Sequence, residues 1–63
     1  MNHWIASEVI QDLEERGGPL WYDRFSTYED HPRSEFRDTL HEMVERNILY
    51  SPDGAQYGLN EED

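Results

Sequence analysis

Arg33, Arg37 and His41 follow one another at intervals of four, a spacing that lines side chains along one flank of an α-helix. Guanidinium and imidazole groups in such a row can hold phosphate oxygens or the edges of guanine, so the chemistry they suggest is nucleic-acid recognition. Ser34 and Asp38 lie beside the row, and Asp38 or Glu42 would suit cytosine N4, the base edge a carboxylate can accept from. The competing reading is ordinary helix electrostatics. Glu42 stands four residues before Arg46, an arrangement that makes a surface ion pair worth ~0.3–0.5 kcal/mol, whereas Arg33 and Arg37 repel one another.

No comparable constellation supports catalysis. No Gly-x-Ser-x-Gly elbow frames Ser7, Ser26, Ser34 or Ser51, and the chain has no phosphate-cradling glycine loop. His3, His31 and His41 lack the spacing of a zinc site. Carboxylates are so abundant that finding two together says nothing about acid–base chemistry. The sequence therefore predicts a protein that is not an enzyme and has no metal or cofactor.

Fifteen acids against five bases give 63 residues a formal charge of −10, and every base except histidine is Arg. Three explanations fit an acidic surface without Lys. It suits a protein in molar salt, where charge repulsion is screened within ~3 Å. It could instead face a basic partner, or imitate the charge of DNA. The acids are spread evenly along the chain, which is the pattern of halophilic solvent adaptation. With no Cys, neither disulfides nor thiolate metal sites can form. No apolar run approaches the ~20 residues of a membrane span, and the start lacks the regions of a signal peptide. The expectation is a single cytoplasmic domain with no membrane partner.

The elements that must position the Arg–His row follow from periodicity. Phe36, Leu40, Met43 and Val44 gather on one face of a helix expected over about 33–46, with Asp38, Glu42 and Glu45 on the outward ridge. Pro32 starts it, with His31 or Ser34 as cap. Ile5, Ala6, Val9, Ile10 and Leu13 form the apolar arc of a first helix over about 3–16, capped by Asn2 and ended by Gly17-Gly18-Pro19. Trp4 falls on the polar arc, so it either lies back across the domain, which is the reading favoured near a chain end, or stays exposed as a contact surface. Between these helices, Trp21, Phe25 and Tyr28 predict a short second helix over about 21–29 whose aromatic stripe joins the core, with Leu20 available to pair in extended form. Asn47 ends the third helix, and Ser51-Pro52-Asp53-Gly54 turns a hairpin over about 48–59. The acidic residues from Asn60 to Asp63 have nothing apolar to anchor them. The expected core is Ile5, Val9, Leu13, Leu20, Phe25, Phe36, Leu40, Val44, Leu49, Tyr57 and Leu59.

Helix, short helix, helix and hairpin, with Gly17-Gly18-Pro19-Leu20 after the first helix and the run from Leu40 to Leu49 entering a Pro-Asp-Gly turn, resembles the winged helix-turn-helix family. The likeness is to small archaeal and bacterial transcriptional regulators, and it covers nearly the whole chain. It implies a mainly α, three-helix domain with a two-stranded C-terminal wing. It also implies that the third helix enters the major groove of double-stranded DNA while the wing touches backbone or minor groove. On this chain the DNA-binding positions would be Arg33, Ser34, Arg37, Asp38 and His41, with Arg24 on the second helix and Gln56 at the wing. Such regulators often act as homodimers on paired half-sites. The departure from the family is the wing, where residues 51–56 carry no Arg or Lys. That absence, the acidic ridge and the surplus of aromatic residues support the alternative of a protein-interaction module, or an acidic inhibitor acting on a basic partner.

Overall fold

Asn2 sets the first helix. Its Oδ1 accepts hydrogen bonds from the amides of Trp4 and Ile5 at 3.0 and 3.3 Å, satisfying two donors that a helix start leaves open. In the computed structural model, which describes residues 2–60, α1 spans His3–Arg16 and ends at Gly17, whose φ of 72° suits a residue without Cβ. Residues 61–63 of the acidic end lie outside the described residues. Ile5, Ala6, Val9 and Leu13 are buried along α1. Trp4 takes the exposed alternative and does not lie back across the domain: 71% of its surface is exposed, as its position on the polar arc of α1 directs it away from the core.

The segment after α1 departs from the single helix expected over 21–29. Leu20–Trp21 forms a strand, β1; Tyr22–Arg24 makes one 3-10 turn; and α2 is confined to Thr27–Asp30. Strand pairing prevails over the helical spacing because Leu20 and Trp21 find partners in Tyr57 and Gln56, and the Tyr22 amide donates to the Ala55 carbonyl at 3.0 Å. Phe25 is itself extended, which breaks the helix in the middle. Asp12 on α1 secures the start of α2 by accepting from both the amide and the hydroxyl of Ser26, each at 2.9 Å. Phe25 and Tyr28 still reach the core, with ring centroids 6.1 and 5.8 Å from Phe36. Trp21 does not, and stays half exposed.

The third helix, α3, spans Arg33–Glu45, with Arg46 as its cap and Asn47 at a φ of 63°. Neither His31 nor Ser34 caps it. Pro32 occupies that position with no side-chain cap hydrogen bond, and its carbonyl accepts from the Phe36 amide at 3.0 Å. The ring fixes φ while the extended His31 before it brings the chain in from outside the helix. Phe36, Thr39, Leu40 and Met43 are buried. Val44, expected within this face, is only half buried. At 100° per residue it lies about 80° from Phe36, whereas Thr39 lies about 60° to the other side, so the buried arc is rotated toward Thr39. The Thr39 hydroxyl accepts from the Asn2 amide at 3.3 Å and ties α3 to the start of α1.

Two further strands, β2 (Leu49–Tyr50) and β3 (Gln56–Leu59), complete an antiparallel sheet of order β1-β3-β2. The sheet has three strands, not the two of the expected hairpin. Leu20 lies opposite Tyr57 and Leu49 opposite Leu59, which puts these four on the core face, since directly paired residues point the same way. Leu49 is fully buried, while Leu20, Tyr57 and Leu59 pack at the margin of the core with Val44. On the outer face Tyr50 lies opposite Gly58, and a Cβ at Gly58 would meet the Tyr50 ring at 2.7 Å. Among the described residues, no helix is long and apolar enough to cross a membrane.

Candidate nucleic-acid interface

The register of α3 that buries Phe36 and Leu40 turns Ser34, Arg37, Asp38, His41 and Glu45 into solvent. Together with Glu42 these residues line one shallow depression along the helix. Four of the seven positions expected to touch DNA, Ser34, Arg37, Asp38 and His41, thus share a continuous surface. The other three do not join it. Arg33 lies nearer the rim of the buried arc, and its guanidinium stacks over the Tyr28 ring, 5.1 Å from the centroid. Arg24 is exposed on the 3-10 turn. The Gln56 side-chain amide donates to Asp53 at 3.2 Å and so helps to close the hairpin turn.

That turn is held by local bonds. Asp53 accepts from the amides of Ala55 and Gln56 at 3.0 and 2.9 Å, and the Ser51 hydroxyl accepts from the Gly54 amide at 2.9 Å. The backbone amides of Ala55 and Gln56, followed by the Gln56 side chain, hold the Asp53 carboxyl below its ordinary value. The tip of the hairpin is consequently anionic at neutral pH. Such bonds fix the turn's shape without giving it a cation for phosphate.

Charge along the depression is mixed. Asp38, Glu42 and Glu45 face Arg37 and His41 there, and Glu42 pairs with Arg46 at 2.9 Å as the i,i+4 spacing predicts. Arg37 has no ion-pair or hydrogen-bond partner among the described residues. A second cleft opens on the other side of Arg37 and His41, where Tyr22, Gly54 and Tyr57 form the opposing wall. Tyr22 and Tyr57 carry no helical spacing relative to Arg37. They come to it through the pairing of β1 with β3 and the Tyr22–Tyr28 ring contact, with centroids 5.8 Å apart. Only knowledge of that long-range pairing would have found them.

Comparison with protein-family models, with curated proteins and with solved structures gives no match to this chain. Among the described residues, no three His, Asp or Glu side chains are grouped so as to hold a metal ion. The geometry of α3 and the hairpin is therefore what a functional reading must rest on.

Proposed function

We propose that this chain is a winged helix-turn-helix regulator that reads double-stranded DNA through Ser34, Arg37, Asp38 and His41 of α3. The observation that carries the reading is that the chain leaves this face of α3 uncovered and sets the hairpin tip beside it, across the cleft from Arg37 and His41. The order of elements supports it as well. α2 and α3 meet through His31 and Pro32, α1 packs behind α3, and the hairpin follows directly from the Asn47 turn. A helix so presented fits the major groove, with Arg37 on a guanine edge or a phosphate and Asp38 accepting from cytosine N4. The hairpin is the wing, and its lack of cations makes α3 the main source of affinity.

Selection from a random pool of duplexes in concentrated salt tests the reading. Folded protein should enrich one sequence class. Arg37→Ala should abolish that enrichment while leaving thermal melting nearly unchanged, within the ~0.5 kcal/mol usual for an exposed position. A pool recovered without enrichment by folded protein would remove DNA reading. The second reading, a module for a basic protein partner, is favoured by the three carboxylates beside Arg37 and by the exposure of Trp4, Trp21, Tyr22 and Tyr50. Here a basic protein, with no nucleic acid, would be recovered with the folded chain from its host.

A further inference from the structure

The cleft between α3 and the hairpin differs from the other depressions described along this protein. Its lining is Tyr22, Arg37, His41, Gly54 and Tyr57, with no carboxylate. The depression along the outer face of α3 has Asp38, Glu42 and Glu45, the one beside Asn2 has Glu35, Asp38 and Glu42, and the one beyond Val44 has Glu45. In a chain with 15 acids and five Arg, this recess assembles a guanidinium, an imidazole and two phenols with no carboxylate in its lining, the acids that flank Arg37 and His41 lying in the adjoining depressions. The Arg37 guanidinium that borders it has no ion-pair or hydrogen-bond partner among the described residues. The recess encloses about 340 Å³, near the lower end of the ~300–1,000 Å³ of small-ligand sites.

The geometry points to this cleft as a binding site for one phosphate group, with Arg37 and His41 as the cationic and imidazole donors and the Tyr22 hydroxyl as a neutral one. Arg presents a planar fork matched to two phosphate oxygens. Tyr57 is less free, since its hydroxyl already donates to the Gly54 carbonyl at 3.5 Å, and it serves to fix the wall. The exposed Tyr22 ring offers an apolar surface to a sugar or base attached to the phosphate. A net charge of −10 repels anions at a distance, but in about 1 M salt that repulsion is screened within ~3 Å and contact donors decide binding. The phosphate can belong to a DNA backbone, in which case the site rests on the DNA-reading proposal, or to a free phosphate ester, in which case it stands without it.

The test has two arms, both in about 1 M KCl, the salt at which the long-range field is screened. In the first, inorganic phosphate is titrated against chloride at equal ionic strength while backbone and side-chain resonances are followed by NMR. Saturable shifts confined to Tyr22, Arg37, His41, Gly54 and Tyr57 are expected. Arg37→Gln should weaken them about tenfold, as befits loss of a charge-assisted hydrogen bond, and Tyr22→Phe by less, with both variants melting like the parent. In the second arm, duplexes bearing a single neutral methylphosphonate are scanned for loss of affinity that Arg37→Gln abolishes. Saturable phosphate shifts without duplex binding would uphold the cleft and remove the DNA reading. Duplex binding with neither localised phosphate shifts nor a sensitive methylphosphonate would overturn the cleft and leave the DNA reading standing. Shifts that fail to saturate, or that Arg37→Gln leaves intact, in the absence of duplex binding would overturn the site.

Discussion

Thr27 is wholly buried at the start of α2, and its hydroxyl has no hydrogen-bond partner among the described residues. A buried donor without an acceptor costs about 1–3 kcal/mol, and an apolar group of similar shape removes that cost. Thr27→Val should therefore raise the melting temperature, by several degrees if it gains about 1 kcal/mol in a domain of this size. A lower melting temperature would mean that the hydroxyl is engaged. Asp12 is the opposite case, a half-buried acid whose acceptor capacity is used by the Ser26 amide and hydroxyl. Asp12→Ala should cost about 1–2 kcal/mol, because hydrogen bonds to a charged group exceed neutral ones but this site is partly in water. Asp12→Asn retains an oxygen for the Ser26 amide and should recover much of the loss. Equal urea midpoints for Asp12→Ala and the parent would show that the link between α1 and α2 contributes nothing.

The hairpin turn is an element whose stability should depend on pH. The Asp53 carboxyl is lowered from 3.8 in the folded chain, by the amides of Ala55 and Gln56 first. A carboxyl lowered on folding adds stability above its unfolded pKa, and that addition disappears as pH falls through the folded value. Protection of the Ala55 and Gln56 amides, measured against their intrinsic exchange rates, should therefore fall in acid more than protection at α1, and Asp53→Asn should remove the difference. Protection that falls equally at both elements would separate Asp53 from the turn's stability. The turn, α1 and α3 were legible from the sequence because their determinants are local: Asn2, Gly17, Asn47 and Gly54 sit at chain reversals or caps, and Phe36, Leu40 and Met43 repeat within one helix. β1 was legible only in part. Leu20 could be read as pairing in extended form, but Trp21 carries a helical aromatic spacing with Phe25 and Tyr28, and the partners Tyr57 and Gln56 lie at the far end of the chain. The same division holds for the candidate site. The Arg37–His41 row could be read along α3, whereas the opposing Tyr22 and Tyr57 depend on that sheet pairing, and Arg33 was diverted by a Tyr28 ring whose orientation no local spacing fixes.

For the molecule as a whole, charge and core set opposing demands. The core is small: Ile5, Val9, Phe36, Leu40, Met43 and Leu49 are its fully buried apolar side chains, and chains of this length have little stability to spare. Leu40→Ala should remove about 2–5 kcal/mol and leave little of it. Acting against that core is a net charge of −10 from 15 acids, twelve of them among the described residues, whose Cα radius of gyration is 10.3 Å. Repulsion among them destabilises the compact state more than the extended chain. Salt shortens its reach from ~10 Å at 0.1 M to ~3 Å at 1 M. The same screening weakens the Glu42–Arg46 pair, but an exposed i,i+4 pair is worth only ~0.3–0.5 kcal/mol, so the loss of repulsion should dominate. The melting temperature should rise between 0.1 and 1 M KCl, and the rise should shrink in a variant with Glu14, Glu15 and Glu29, all exposed on helices away from the α3 cleft, changed to Gln. A melting temperature that falls with KCl, or rises equally in that variant, would show that the acidic surface does not limit the stability of the fold.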